Sequence, residues 1–110
     1  MKITLAVSLL LGAVASKQLR FNENGKFKMV QFTDIHFGEG MMNDLSNQKL
    51  ISDVLDWEKP DLVVVTGDVV SGYAWDYWTR PWTALQYANF TKILIEKEYY
   101  WATTAGNHDT

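Results

Sequence analysis

The stretch Pro60-Asp61-Leu62-Val63-Val64-Val65-Thr66-Gly67-Asp68 decides the fold. Leu62 to Val65 is an unbroken apolar run, closed off by Pro60 in front and Gly67 behind. A β-branched run of this kind suits a strand buried on both faces, as in a parallel sheet. Upstream, residues 27–33 read Phe-Lys-Met-Val-Gln-Phe-Thr, partly alternating and rich in strand formers, which predicts another strand. Residues 37–43, with Gly38 and Gly40, read as a loop. From Asp44 the spacing turns helical: Leu45, Leu50, Ile51, Val54, Leu55 and Trp57 form a broad apolar face. Pro60 ends that helix, because the residue before proline disfavours helical angles.

Downstream, residues 67–79 read as a long aromatic loop, and Pro81 suits the first turn of a second helix. Leu85, Ala88, Ile93 and Ile95 carry that helix to about Glu98, and residues 99–104 (Tyr-Tyr-Trp-Ala-Thr-Thr) form a third strand. The order strand, helix, strand, helix, strand predicts an α/β fold of parallel strands joined by right-handed helical crossovers. There is no internal repeat and no low-complexity segment.

The first residues read as something other than fold. Lys2 precedes an uncharged run over residues 3–15, and Ala13-Val14-Ala15 has the small-x-small form of a cleavage site. This predicts a secretory signal peptide over residues 1–15, too short for a bilayer span of about 20 residues. A buried strand or helix is the alternative. The signal reading places the protein in the secretory pathway, secreted or vacuolar/lysosomal, with no membrane span after cleavage. Residues 16–26 then form an entry loop or short hairpin arm. Asn89-Phe90-Thr91 is a glycosylation sequon consistent with that compartment.

Composition narrows the chemistry. The 110 residues fit one domain, and 47% hydrophobic with 21% charged residues is ordinary globular usage, which excludes wholesale disorder. Ten Lys+Arg against 13 Asp+Glu leave a net charge of −3, which argues against nucleic-acid binding through broad electrostatics. Cysteine is absent, so disulfides, thiolate metal sites and a cysteine nucleophile are excluded. Any metal must be held by His, Asp, Glu or Asn.

Those residue types gather at one kind of place. Thr33-Asp34-Ile35-His36 follows the first predicted strand, Thr66-Gly67-Asp68 the second, and Ala105-Gly106-Asn107-His108-Asp109 the third. The carboxyl edge of an open α/β sheet is where ligands bind. Asp34 and His36, two apart in an extended segment, are expected to project to the same side and share one ion. Asp68 can bridge two ions, and Gly67 and Gly106 let the backbone turn beside a ligand. The donors suit Mn, Fe, Zn or Mg. Taken singly, Asp34 and His36 are more often a capping or loop pair, Gly67-Asp68 is as often a turn, and Gly106-Asn107-His108-Asp109 is the strongest single signal, its alternative being a turn with an exposed histidine; the ordered set of clusters is far less ordinary.

That set resembles the calcineurin-like metallophosphoesterase family. The matching strings are Asp34-Ile35-His36, Gly67-Asp68 and Gly106-Asn107-His108-Asp109. Their longer settings, Phe32 to His36, Pro60 to Asp68 and Ala105 to Asp109, look most like the branch related to the atypical purple acid phosphatases. The resemblance covers residues 27–109 and implies the βαβαβ half of a metallophosphoesterase α/β sandwich. It implies a phosphate-ester substrate and two divalent or trivalent metal ions, of Mn, Fe, Zn or Mg. By the same resemblance Asp34 and His36 would hold the first metal, Asp68 would bridge, and Asn107 would hold the second. His108 would touch substrate or protonate the leaving alkoxide, and Asp109 would orient His108 through its other ring nitrogen. Paired cations about 3.5–4 Å apart clamp a phosphate and activate water, and an imidazole can serve as the acid.

Two departures stand out. Purple acid phosphatases proper carry a tyrosinate three positions after the bridging Asp and no His at the place of His36; here that position is Ser71, and the nearest tyrosine is Tyr73. The family also uses further histidines from a second half, whereas this sequence has His36 and His108 alone. The expectation is therefore an N-terminal part of a larger domain, residues 27–110, incomplete at the C-terminus and weakly active or inactive alone. The alternative is a non-catalytic secreted α/β binding or scaffold domain. Trp75, Tyr77, Trp78 and Trp82 beside the site are expected to pack against the rest of such a domain rather than to form a substrate wall.

Overall fold

The computed structural model describes residues 18–109. The signal-peptide reading of residues 1–15 lies outside the described residues. The arm that follows contains a tight turn: Asn22 N–H donates to Lys26 O at 2.8 Å, and the Asn22 carboxamide oxygen accepts from Asn24 and Lys26 N–H. Three strands follow, β1 (Met29–Phe32), β2 (Leu62–Thr66) and β3 (Trp101–Thr104), with helix α1 (Met41–Glu58) between the first two and α2 (Trp82–Glu96) between the last two. The sheet order is β1-β2-β3 and both pairings are parallel, with Val63 opposite Val30 and Trp101. The predicted α/β alternation and strand direction hold. No helix among the described residues is long and apolar enough to cross a membrane.

In a sheet of that order, two crossovers of the same hand put both helices on one face. A single core results: Ile51 and Leu55 of α1 and Trp82, Phe90, Ile93 and Leu94 of α2 close over Val63 and Val65. Val63 and Val65 are fully buried, while Leu62 and Val64, pointing the other way, are only half-buried. The expectation of a strand buried on both faces is therefore corrected: the helices cover one face only.

The helices also begin and pack differently from expectation. α1 starts at Met41, before Asp44, and ends where expected: Lys59 takes a left-handed conformation (φ 44°), its N–H bonds to Leu55 O, and Pro60 follows. Pro81 sits just ahead of α2, not in its first turn. The broad apolar face assigned to α1 is narrower in fact. Ile51 and Leu55, one turn apart, face the core, whereas Leu45, Leu50 and Trp57 are exposed. At 100° per residue those positions lie off the Ile51–Leu55 line. Leu85 and Ile95 of α2 are exposed for the same reason, while Phe90 and Leu94, four apart, are buried. Asn89 of the sequon is half-buried within α2, its amide donating to Gln86 Oε1 at 3.1 Å.

Burial of this kind sets a measurable contrast. Leu55→Ala is expected to lower unfolding free energy by about 2–5 kcal/mol, and Leu45→Ala by no more than about 0.5 kcal/mol. Urea unfolding of both variants measures it; equal losses would contradict the assigned core.

Candidate metal centre

The candidate site is made where the backbone continues past β1 and β2. Asp34 N–H donates to Gly67 O (3.2 Å), His36 N–H to Asp68 O (3.0 Å) and Phe37 N–H to Val69 O (2.9 Å). Ser71 N–H returns a bond to Phe37 O at 3.0 Å, and Phe37 and Val70 form a parallel bridge. Two loops thus run side by side as a short extension of the sheet. Phe37, Val69, Val70 and Ser71 are fully buried beneath it. Helix α1 ties down the first loop: Asn47 Nδ2 donates to Ile35 O at 2.8 Å, and Gly38 N–H to the Asp44 carboxylate at 3.0 Å.

The third loop docks onto the second. Gly106 lies so close that a Cβ there would collide with the carboxylate and main-chain nitrogen of Asp68. His108 N–H donates to Asp68 Oδ1 at 2.8 Å, and His108 O accepts from Gly72 N–H at 2.6 Å. Asp109 completes the join. Its Oδ2 accepts from Gly106 N–H (2.7 Å) and Asp68 N–H (2.9 Å), and its Oδ1 from Val70 N–H (3.0 Å). The role expected for Asp109, holding the other ring nitrogen of His108, is therefore corrected: both oxygens are taken up by main-chain donors. Those donors are loop N–H groups with no other partner among the described residues, and a carboxylate satisfies them more strongly than a neutral acceptor.

Within this frame Asp34, His36 and Asp68 come together, each offering a ligand atom within 4.8 Å of the others. The route differs from the extended segment expected. Asp34 (φ 53°), His36 (φ 57°) and Asp68 (φ 52°) all adopt left-handed backbone. Asp and His tolerate that region better than most residues, but each still costs about 1–2 kcal/mol. Strain held at three neighbouring polar residues is the pattern of a functional site. Two carboxylates and an imidazole are a donor set that fits a divalent first-row cation. Asn107 is exposed at the same edge, between Gly106 and His108, which both contact Asp68.

The histidines stand beside each other, with ring centroids 5.2 Å apart, and Tyr73 packs edge-on against His108 at 5.3 Å. His36 Nε2 faces Asp34 Oδ1 at 3.9 Å. On its other side, Nδ1 lies 2.7 Å from Ser71 Oγ and 3.2 Å from Glu39 Oε1. Ser71 Oγ donates to Glu39 Oε1 at 2.6 Å, and the Tyr73 hydroxyl donates to the same oxygen. The hydroxyls of Ser71 and Tyr73 hold the Glu39 carboxyl below its ordinary pKa. Glu39 was not singled out from the sequence; its signal there is only a carboxylate three residues after His36 in a Gly-flanked loop. Of the aromatic residues, Trp82 is buried in the core and Trp75 packs against it with Arg80 over its ring, while Tyr77 and Trp78 are exposed.

The Asp109 join is testable without metal. Asp109→Asn would turn an amide NH2 toward one of the three main-chain donors, and is expected to cost about 1–3 kcal/mol. Urea unfolding measures it, and an unchanged midpoint would contradict the clamp.

Comparison with known proteins bears on the same residues. The calcineurin-like phosphoesterase family model matches residues 27–110. From Arabidopsis thaliana, probable inactive purple acid phosphatase 28 is 30% identical over 105 residues, covering 83% of this chain and 25% of that protein. Probable inactive purple acid phosphatase 29, also from Arabidopsis thaliana, is 31% identical over 121 residues, covering 96% of this chain and 29% of that protein. Phosphatase DCR2 of Saccharomyces cerevisiae is 31% identical over 107 residues, covering 86% of this chain and 18% of that protein. The chain thus spans less than a third of the length of these curated relatives. With a three-stranded parallel sheet, two helices over it and the Asp34, His36 and Asp68 cluster at its carboxyl edge, the chain belongs to the calcineurin-like phosphoesterase family.

Proposed function

We propose that this chain carries the first metal position, and part of the second, of a centre that hydrolyses phosphate esters. One observation carries the reading: Asp34, His36 and Asp68 reach a common point from two strand ends, each in left-handed backbone. Asp34 and His36 would hold one cation, Asp68 would be shared, and Asn107 would bind the other through its amide oxygen. Bound Mn, Fe, Zn or Mg ions would neutralise phosphate charge and lower the pKa of a water. His108, whose ring sits 5.2 Å from that of His36, would hold the proton for the leaving oxygen. Asp109 serves this by fixing the loop that carries His108, through Gly106 and the main chain of Asp68 and Val70.

In this reading Asp34, His36 and Asp68 would give the first position three donors, and Asp68 and Asn107 would give the second two. The chain by itself is accordingly expected to bind one equivalent of Mn2+ well and to hydrolyse an aryl phosphate weakly or not at all. Phosphatase DCR2 supports the catalytic reading by its name, whereas the Arabidopsis relatives named probable inactive favour a second one. In that reading the chain is a non-catalytic α/β binding or scaffold domain that has lost the metal.

Calorimetric titration of the full chain with Mn2+ separates them. The parent is expected to bind near one equivalent, and Asp68→Asn to weaken binding at least about tenfold, since even residues behind a ligand contribute about 10–100-fold. Equal affinity in parent and variant, or no binding by the parent, would overturn the metal-centre reading.

A further inference from the structure

Behind His36 lies a hydrogen-bond chain with one allowed direction. An ionised carboxylate only accepts, so the bond between Glu39 Oε1 and Ser71 Oγ, at 2.6 Å, uses the single hydroxyl proton of Ser71. Ser71 then has lone pairs alone to offer His36 Nδ1, 2.7 Å away. The second neighbour of Nδ1, Glu39 Oε1 at 3.2 Å, is also an acceptor. Both contacts are satisfied only if Nδ1 carries the proton. In the neutral ring Nε2 must then hold the free lone pair, on the side facing Asp34.

The placement is held from several sides. Ser71 is fully buried, and its N–H is bonded to Phe37 O, next to His36 itself. Glu39 is fixed by the Tyr73 hydroxyl as well as by Ser71. We infer that Glu39, acting through Ser71, is a positioning residue that locks His36 as its Nδ1–H tautomer and so presents Nε2 as a ready metal donor. The inference rests on the proposed metal reading for its purpose, but not for its geometry. A carboxylate relay of this kind fixes ring orientation and raises ligand basicity. Ser71 and Glu39 thus have a task in a chain whose third position after Asp68 is not a tyrosine.

The test is nitrogen-15 NMR of the metal-free full chain with labelled histidine, at pH 8, above the usual histidine range near 6.5. In the parent, Nδ1 of His36 is expected to show the protonated signature and Nε2 the bare one. The reverse assignment would overturn the proposal with no variant needed. In Glu39→Ala the Ser71 hydroxyl is released to donate, so a mixture of tautomers is expected, together with roughly tenfold weaker Mn2+ binding. In Glu39→Gln, which keeps an oxygen acceptor, the Nδ1–H form is expected to return. A Glu39→Ala spectrum and Mn2+ affinity identical to the parent would overturn the lock. Failure of the parent to bind Mn2+ while showing Nδ1–H would count against the metal reading alone, and leaves the lock supported.

Discussion

The rest of the site depends on the main-chain ladder that runs past the ends of β1 and β2, from Asp34 to Ser71. It holds two irregular loops as if they were still strands, through the bonds of Asp34 to Gly67, His36 to Asp68, and Phe37 to Val69. Apolar side chains keep it there. Phe37, Val69 and Val70 are wholly buried below it, and burying each contributes about 1.5–3 kcal/mol. That is enough to offset the left-handed backbone at Asp34, His36 and Asp68, at about 1–2 kcal/mol each. The hydrophobic floor is thus the reason that three polar residues can be held in strained conformations and turned toward one point.

The third loop is joined to this ladder by a carboxylate. Asp109 gathers the N–H groups of Gly106, Asp68 and Val70, and so ties the loop bearing Asn107 and His108 to the loop bearing Asp68. Gly106 permits the close approach that the join needs. Preorganisation here is of main chain first and side chain second: the loops are placed by main-chain hydrogen bonds, while among the donor carboxylates one Asp68 oxygen accepts from His108 N–H and one Asp34 oxygen accepts from the Thr33 hydroxyl at 2.6 Å.

Much of this was legible from residue order. Leu62 to Val65 between Pro60 and Gly67 announced β2, and the polar clusters at three strand ends marked the candidate site. The parallel sheet brought Asp34, His36 and Asp68 together as expected. Other features were hidden for identifiable reasons. Leu45, Leu50 and Trp57 have helical apolar spacing, but exposure depends on which stripe meets the sheet, and that is settled by tertiary packing. Val69 and Val70 looked like loop residues because the ladder that buries them is non-local. Asp109 looked like a histidine partner because its real partners are main-chain groups, which leave no trace in sequence. Glu39 was silent because its side-chain partners Ser71 and Tyr73 lie 32 and 34 positions away.

The most direct test of the central claim is a crystal of the full chain grown with Mn2+ and measured for anomalous scattering. The account predicts an anomalous peak within bonding distance of His36 Nε2 and the carboxylates of Asp34 and Asp68, with His36 Nδ1 still on Ser71. A peak elsewhere, or His36 turned so that Nδ1 meets the metal, would contradict it.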